Sequence, residues 1–210
     1  MKPDSDSHAG KVASDTSRIF IAIALPEDVN AEVTRLQERL KKGAIFTGAA
    51  PAWVRPEGVH ITLAFLGDQN QEGIDAAIKS MRSTCRRRVP FKLSISGLCF
   101  FPSEKDPRTI AFQIKKDVDA VQDLGRNLSG FCRANGFAVA SRDFNPHLTL
   151  ARLKSRKGFK GLRGLLESHR RTQAGVFEVD SITLYKSTLQ SGGSVYEVLH
   201  VEKFGGGDSD

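Results

Sequence analysis

Short apolar runs alternate with amphipathic stretches along most of the chain. Arg18 to Leu25 (RIFIAIAL) is a continuous run rich in isoleucine and reads as a buried strand. Pro26 suits a first helical turn, and Val29, Val33, Leu36 and Leu40 follow at helical spacing, with a stop near Lys42-Gly43. Val59 to Leu66 reads as a second strand closed by Gly67-Asp68, and a helix is predicted over Glu72 to Thr84. Phe91 to Phe100 and Thr109 to Lys115 read as hairpin neighbours, with Pro102, Asp106 and Pro107 supplying turn chemistry. Val118, Val121, Leu124, Leu128 and Phe131 mark an amphipathic helix that stops at Asn135-Gly136. Pro146 to Leu153 reads as a strand, and Leu162 to His169 as a short helix. Two late strands, Val176 to Ser187 and Val195 to Val201, turn at Gly192-Gly193. Without a steady βαβ rhythm or a glycine-rich phosphate loop, the expected class is α+β with antiparallel sheets.

Residues 1–17 are polar, without the apolar core of a signal peptide, and read as a disordered N-terminal arm. Residues 205–210 read as a disordered tail. The expected unit is therefore a single domain over 18–204 of the 210 residues. No apolar run approaches the roughly twenty residues that cross a bilayer, so no membrane association is expected. Cys85, Cys99 and Cys132 are odd in number and lack metal-ligand spacing, which suits buried filler in a reducing, cytoplasmic compartment. The net charge of +7 fits an anionic partner, although solubility alone accounts for a charge of this size equally well.

One pattern stands above this background. His60-Ile61-Thr62-Leu63-Ala64-Phe65-Leu66 recurs as His147-Leu148-Thr149-Leu150-Ala151-Arg152-Leu153. At ordinary composition, two His-x-Thr-Leu starts among the chain's five histidines arise by chance on the order of once in several thousand sequences. On a strand, residues two apart share a face, so His60 lies with Thr62 and His147 with Thr149, while Ile61, Leu63 and Phe65, like Leu148 and Leu150, share the opposite, packed face. If the two halves are pseudosymmetric, both polar faces meet across one cleft. Two imidazoles with pKa near 6.5 can act as acid and base near neutral pH, and two hydroxyls can hold phosphate oxygens. A lone histidine on a half-buried strand is usually structural. The matched duplication is what favours a site.

These motifs resemble those of the two-histidine (2H) phosphoesterase superfamily, and within it the RNA 2′,3′-cyclic phosphodiesterase (2′-5′ RNA ligase-like) group. The likeness takes in Arg18-Ile19-Phe20-Ile21-Ala22, Trp53 with Val54-Arg55-Pro56-Glu57, Leu66-Gly67, Phe101-Pro102, Pro107-Arg108 and Asn145-Pro146. It ends with Leu184-Tyr185-Lys186-Ser187 and Tyr196-Glu197-Val198, so it covers roughly residues 18–204. The resemblance implies a bilobal, pseudo-twofold α+β fold whose antiparallel sheets line a central cleft, with helices outside. It implies hydrolysis of an RNA terminal 2′,3′-cyclic phosphate to a 2′-phosphate, with His60 as proton donor and His147 as proton acceptor. The chemistry of the residues does not by itself assign those two roles. Thr62 and Thr149 would bind the phosphate, and the reverse reaction would join RNA ends through a 2′-5′ linkage. Arg152 occupies a position often held by arginine in the group and is a third substrate-binding candidate. Strict alternation places it opposite His147 and Thr149, so only a bend at the strand end brings it into the cleft.

No metal or other cofactor is expected, because His8, His169 and His200 have no partner at ligand spacing. Arg86-Arg87-Arg88 and the cluster Lys154, Arg156, Lys157, Lys160 and Arg163 could follow an RNA backbone, though charge runs are usually solvated faces. Trp53, Phe101, Phe144 and Tyr185 could stack on a base, with core packing the simpler reading. The alternatives are a phosphodiesterase acting on a small cyclic phosphate and a non-catalytic RNA- or nucleotide-binding module. Nothing in the pattern calls for assembly beyond a monomer.

Overall fold

The structure is a computed structural model that describes residues 16–43, 51–139, 144–153, 164, 166–191 and 193–206. Among these residues, nine strands form two antiparallel sheets. The first contains β1 (Ser17–Ala24), β3 (His60–Gln69), β8 (Ser181–Gln190) and β9 (Gly193–Lys203), in the order β3-β1-β8-β9. The second contains β2 (Ala52–Trp53), β4 (Phe91–Phe101), β5 (Thr109–Lys116), β6 (His147–Arg152) and β7 (Gln173–Val179), in the order β2-β6-β5-β4-β7. The expected α+β class with antiparallel sheets is the observed one.

The two sheets repeat one plan. In the first, β1 leads through helix α1 (Glu27–Gly43) to β3, its antiparallel neighbour. In the second, β5 leads through helix α3 (Val118–Ala134) to β6, again its antiparallel neighbour. The strands that open with His60 and His147 are thus equivalent, and β3 and β6 pack against each other. The helices cross over: α1 packs on β7 of the second sheet, while α3 packs on β3 and on helix α2 (Gln71–Cys85).

Local chemistry explains the helix ends. Glu27 and Asp28 open α1 and Lys41 and Lys42 close it, each sign matching the helix dipole. The Asn70 side chain caps α2 by accepting from Gly73 N at 3.0 Å. After α3, Gly136 takes φ +92°, and Phe137 N reaches back to Cys132 O at 3.0 Å, closing the helix as a Schellman motif does. Val29, Val33, Leu36 and Leu40 of α1 and Val121, Leu124 and Leu128 of α3 are buried in one apolar cluster with Ile61, Leu63, Leu148 and Leu150. Phe131, read as part of the same helical stripe, is instead 40% exposed.

Two sequence expectations need correcting. The run read as one strand from Val176 to Ser187 is two strands, divided at Asp180. β7 pairs with β4, whereas β8 pairs with β1, so the chain changes sheets at this corner. An apolar run reports burial and not which sheet does the burying. The short strand β2 also escaped notice, because two residues carry no periodicity. β1 begins at Ser17, and Gly205 N and Gly206 N bond to Cys85 O and Arg88 O at the other end. The rest of the expected arm and tail lies outside the described residues, as does the basic cluster from Lys154 to Arg163. The short helix read near Leu162 to His169 lies partly outside them. No described helix is long and apolar enough to cross a membrane.

Cys85 and Cys132 are buried and Cys99 is partly buried, all as free thiols. Burial pushes Cys85 up to about 12 and Cys132 up to about 11, so both stay protonated and inert, as filler should.

Candidate active site

His60 and His147 each sit at the first residue of their strand and are held in matching ways. The His147 Nδ1 lies 3.0 Å from the carbonyl of Asn145, two residues earlier. A carbonyl only accepts, so Nδ1 carries the proton and Nε2 of the neutral ring keeps its lone pair. The His60 ring hydrogen-bonds the backbone of Gly58, also two residues earlier. Each ring lies against aromatic rings. Phe101 stacks on His147 with centroids 3.7 Å apart, while Phe20 lies 4.7 Å from His60 and Tyr196 meets it edge-on at 5.2 Å.

Those aromatic walls set the electrostatics. Burial lowers the His60 pKa to about 4, and the positive charge of Arg152 pushes the same way, against the Gly58 bond. His147 is lowered by burial first and again by Arg152, against the Asn145 bond. Both rings are therefore neutral at pH 7. Histidines in the unfolded chain titrate near 6.5. The unfolded state then binds more protons between pH 6.5 and 4, and stability falls as pH drops through that window. Melting temperature is expected to fall from pH 7 to pH 5, and to fall less in His60→Asn. An equal fall in both proteins, followed by circular dichroism, contradicts this.

The cleft has two compartments. One, of about 870 Å³, is lined by Thr62, Thr149, His147, Phe101, Phe144 and Arg108 among others. The second, of about 350 Å³, is lined by His60, Phe20, Tyr196, Arg18, Ser187 and Ser194 among others. Phe65 and Arg152 line both. The hydroxyls of Thr62 and Thr149 make no side-chain hydrogen bond among the described residues, and Arg152 has no carboxylate partner there. All three are thus available to a ligand. No group of three or more His, Cys, Asp or Glu is placed to hold a metal ion among the described residues.

The position of Arg152 departs from strict alternation, and the register shows why. In β6, Thr149 pairs with Ala111 and Ala151 with Ile110, so Leu150 is an extra residue, a β-bulge. Leu150 and Ala151 are both buried, and Arg152 returns to the face of His147 and Thr149. The expected bend exists, but two residues before the strand end. The same bulge recurs in β3: Thr62 pairs with Ala22 and Ala64 with Ile21, leaving Leu63 extra. Phe65 consequently enters the cleft at the position equivalent to Arg152 and is 63% exposed. The sequence reading put Phe65 on the packed face with Ile61 and Leu63, and the bulge overturns that; its alignment with Arg152 in the duplicated motif was the available signal.

Of the other candidates, Phe101 and Phe144 line the cleft and Tyr185 stacks on His60 at 6.0 Å, whereas the arginine run and the remaining histidines fall elsewhere. Arg86, Arg87 and Arg88 line a separate groove beside α3, where Arg88 pairs with Asp123 at 2.8 Å. Tyr185 stacks on Phe20 at 5.2 Å, Trp53 lies beneath Lys41 Nζ at 5.7 Å, and Phe144 packs where Gly125 leaves room for it. His169 lies beside Ser168 Oγ and His200 beside Glu202 Oε2, both away from the cleft.

Comparison with known proteins identifies relatives that share this fold and align with most of this chain. A family model described as LigT-like phosphoesterase matches residues 23–111 and 114–196. A protein of Aquifex aeolicus named RNA 2′,3′-cyclic phosphodiesterase is 30% identical over 190 residues, covering 90% of this chain and 98% of its own. A protein of the same name from Methanothermobacter thermautotrophicus is 30% identical over 184 residues, covering 88% and 97%. Among solved structures, TT0787 of Thermus thermophilus superposes with a TM-score of 0.70 at 26% identity, covering 90% of this chain and 98% of that one. E. coli LigT complexed with 3′-AMP shares the fold at a TM-score of 0.71 and 21% identity, covering 90% and 99%. With matched segments in both halves of the chain, and relatives aligned over nearly their whole length, this protein belongs to the LigT-like phosphoesterase family.

Proposed function

We propose that this enzyme hydrolyses the 2′,3′-cyclic phosphate at an RNA end to a 2′-phosphate, using His60 and His147 as its acid–base pair without a metal ion. The observation that carries the reading is the equivalent setting of the two rings, each hydrogen-bonded to the backbone of the residue two positions earlier, with Arg152 close enough to lower both. The names of the relatives supply the substrate class.

His147, with its Nε2 lone pair free, accepts a proton from water as the water oxygen bonds to phosphorus. The bond from phosphorus to the ribose 3′-oxygen breaks, and protonated His60 gives its proton to that oxygen, leaving the phosphate on the 2′-oxygen. Thr62 and Thr149 donate hydrogen bonds to the non-bridging oxygens as charge builds there, and Arg152 balances it. Burial disfavours protonated His60, and the negative charge of the substrate phosphate supplies the field that lets this ring hold its proton. Phe65, exposed at the same cleft, offers a face to the terminal base. A 5′-hydroxyl in place of water gives 2′-5′ ligation by the same proton transfers, as a side activity.

The test is an RNA oligonucleotide ending in a 2′,3′-cyclic phosphate, incubated with the enzyme in EDTA. Conversion to a 2′-phosphate end is the expected result. Loss of activity in EDTA, a 3′-phosphate product, or turnover of cyclic mononucleotides but not RNA overturns the corresponding part of the reading.

A further inference from the structure

α1 carries one polar side chain into the core. Gln37 is 1% exposed on the face that also buries Val33, Leu36 and Leu40. Its Nε2 donates to Leu150 O at 2.9 Å and to Val54 O at 2.8 Å. Its Oε1 is buried with no hydrogen-bond partner among the described residues. The two carbonyls fix which end of the amide points where, since the opposite orientation would set oxygen against oxygen.

Burying an amide with one atom unsatisfied is a poor way to stabilise a helix–sheet contact, and an apolar side chain of similar volume would serve the core better. What the amide grips is more informative. Leu150 is the extra residue of the β6 bulge, the irregularity that turns Arg152 into the cleft. Its carbonyl also accepts Val54 N at 2.8 Å, beyond the end of β2. Val54 in turn leads into the turn Pro56–Gly58, whose last residue bonds the His60 ring. One side chain therefore joins the bulge of the second motif to the segment that delivers the first.

Arg152 itself has no carboxylate partner among the described residues, so the backbone beneath it sets where its guanidinium can reach. We infer that Gln37 is a positioning residue for the cleft: by holding the bulge carbonyl of Leu150, it keeps Arg152 on the catalytic face. The inference rests on the phosphodiesterase reading and adds to it a residue outside the cleft and outside both motifs.

A double-mutant cycle tests it, using cyclic-phosphate RNA as substrate and Gln37→Met, Arg152→Ala and the combined variant. Gln37→Met keeps the volume and removes both donors. It is expected to lower kcat/KM by about 10- to 100-fold, the scale of effect produced by small misplacements of a reacting group. In the Arg152→Ala background the same change is expected to cost less than about twofold, because the group it positions is gone. Activities are taken per folded molecule, with the folded fraction measured by circular dichroism, and Gln37→Leu is run in parallel in case the methionine variant does not fold. Equal losses in both backgrounds, or no loss in either, would overturn the inference. If the wild-type protein leaves the RNA unchanged, the functional reading fails first. If the wild type is active and the losses are equal, that reading stands and only the positioning role falls.

Discussion

Replacing His60 or His147 with alanine is expected to lower kcat by about 10²- to 10⁴-fold, the range that a positioned general acid or base contributes. Both rings pack on the cleft face, His60 against Phe20 and His147 against Phe101, and neither belongs to the apolar cluster of the core. Each is half-buried at the first residue of its strand, on the face opposite Ile61 and Leu148, so both variants should fold and melt near wild type. The double alanine variant should be little worse than either single one, because acid and base act in one step and removing one strands the other. Single-turnover hydrolysis of cyclic-phosphate RNA gives these rates. A fall of less than about tenfold in either folded variant means that ring is not in the proton path. The two replacements should also differ with the leaving group. If His60 is the donor, a substrate whose leaving oxygen needs no proton should recover activity in His60→Ala and not in His147→Ala. The opposite pattern reverses the two roles.

The second large effect concerns Arg152. Its removal takes away a charge-assisted contact to the phosphate, so kcat/KM for Arg152→Ala should fall by about 10- to 100-fold. The pH profile should move as well. In the wild type, His60 near 4 and His147 below 6.5 require the optimum of kcat/KM to lie on the acid side of neutrality, since this parameter reports the free enzyme. The rate should rise as one ring loses its proton and fall as the other does, with both limbs below about 6.5. Arg152 is a lesser cause of both shifts, after burial. Without its charge both rings hold protons more readily, and both limbs should move to higher pH. Arg152→Lys should keep the limbs in place while losing the paired donor geometry of the guanidinium. An unmoved profile in Arg152→Ala would show that its charge does not act on the rings.

Several features were legible because they are local. The helical spacing of Val29, Val33, Leu36 and Leu40 made α1 readable, and the cap-forming Asn135-Gly136 marked the end of α3. The duplicated His-x-Thr pattern placed His60, Thr62, His147 and Thr149 on matching strand faces before any coordinates, because alternation over three residues is secure. The structure brings Thr62, His147 and Thr149 to one compartment and His60 to the adjoining one, with Arg152 and Phe65 between them.

Alternation fails once a strand carries an extra residue, and nothing in His-Leu-Thr-Leu-Ala-Arg says that Leu150 is one. A bulge is set by the neighbouring strand's register and by what lies above it, here β5 and the α1 side chain of Gln37. That is why parity left Arg152 dependent on a bend to reach the cleft and put Phe65 on the packed face. The switch at Asp180 is of the same kind, because Phe177 and Leu184 are both buried although their strands belong to different sheets. The sequence by itself determined the α+β class, most of the helices and strands, and the duplicated His-x-Thr pattern that nominates the candidate site, since these follow from side-chain chemistry and short-range periodicity. Only the tertiary structure decided how the two motifs meet, how far burial lowers each imidazole, and which face Arg152 and Phe65 occupy. Those depend on contacts between residues distant in the chain, which no local pattern encodes.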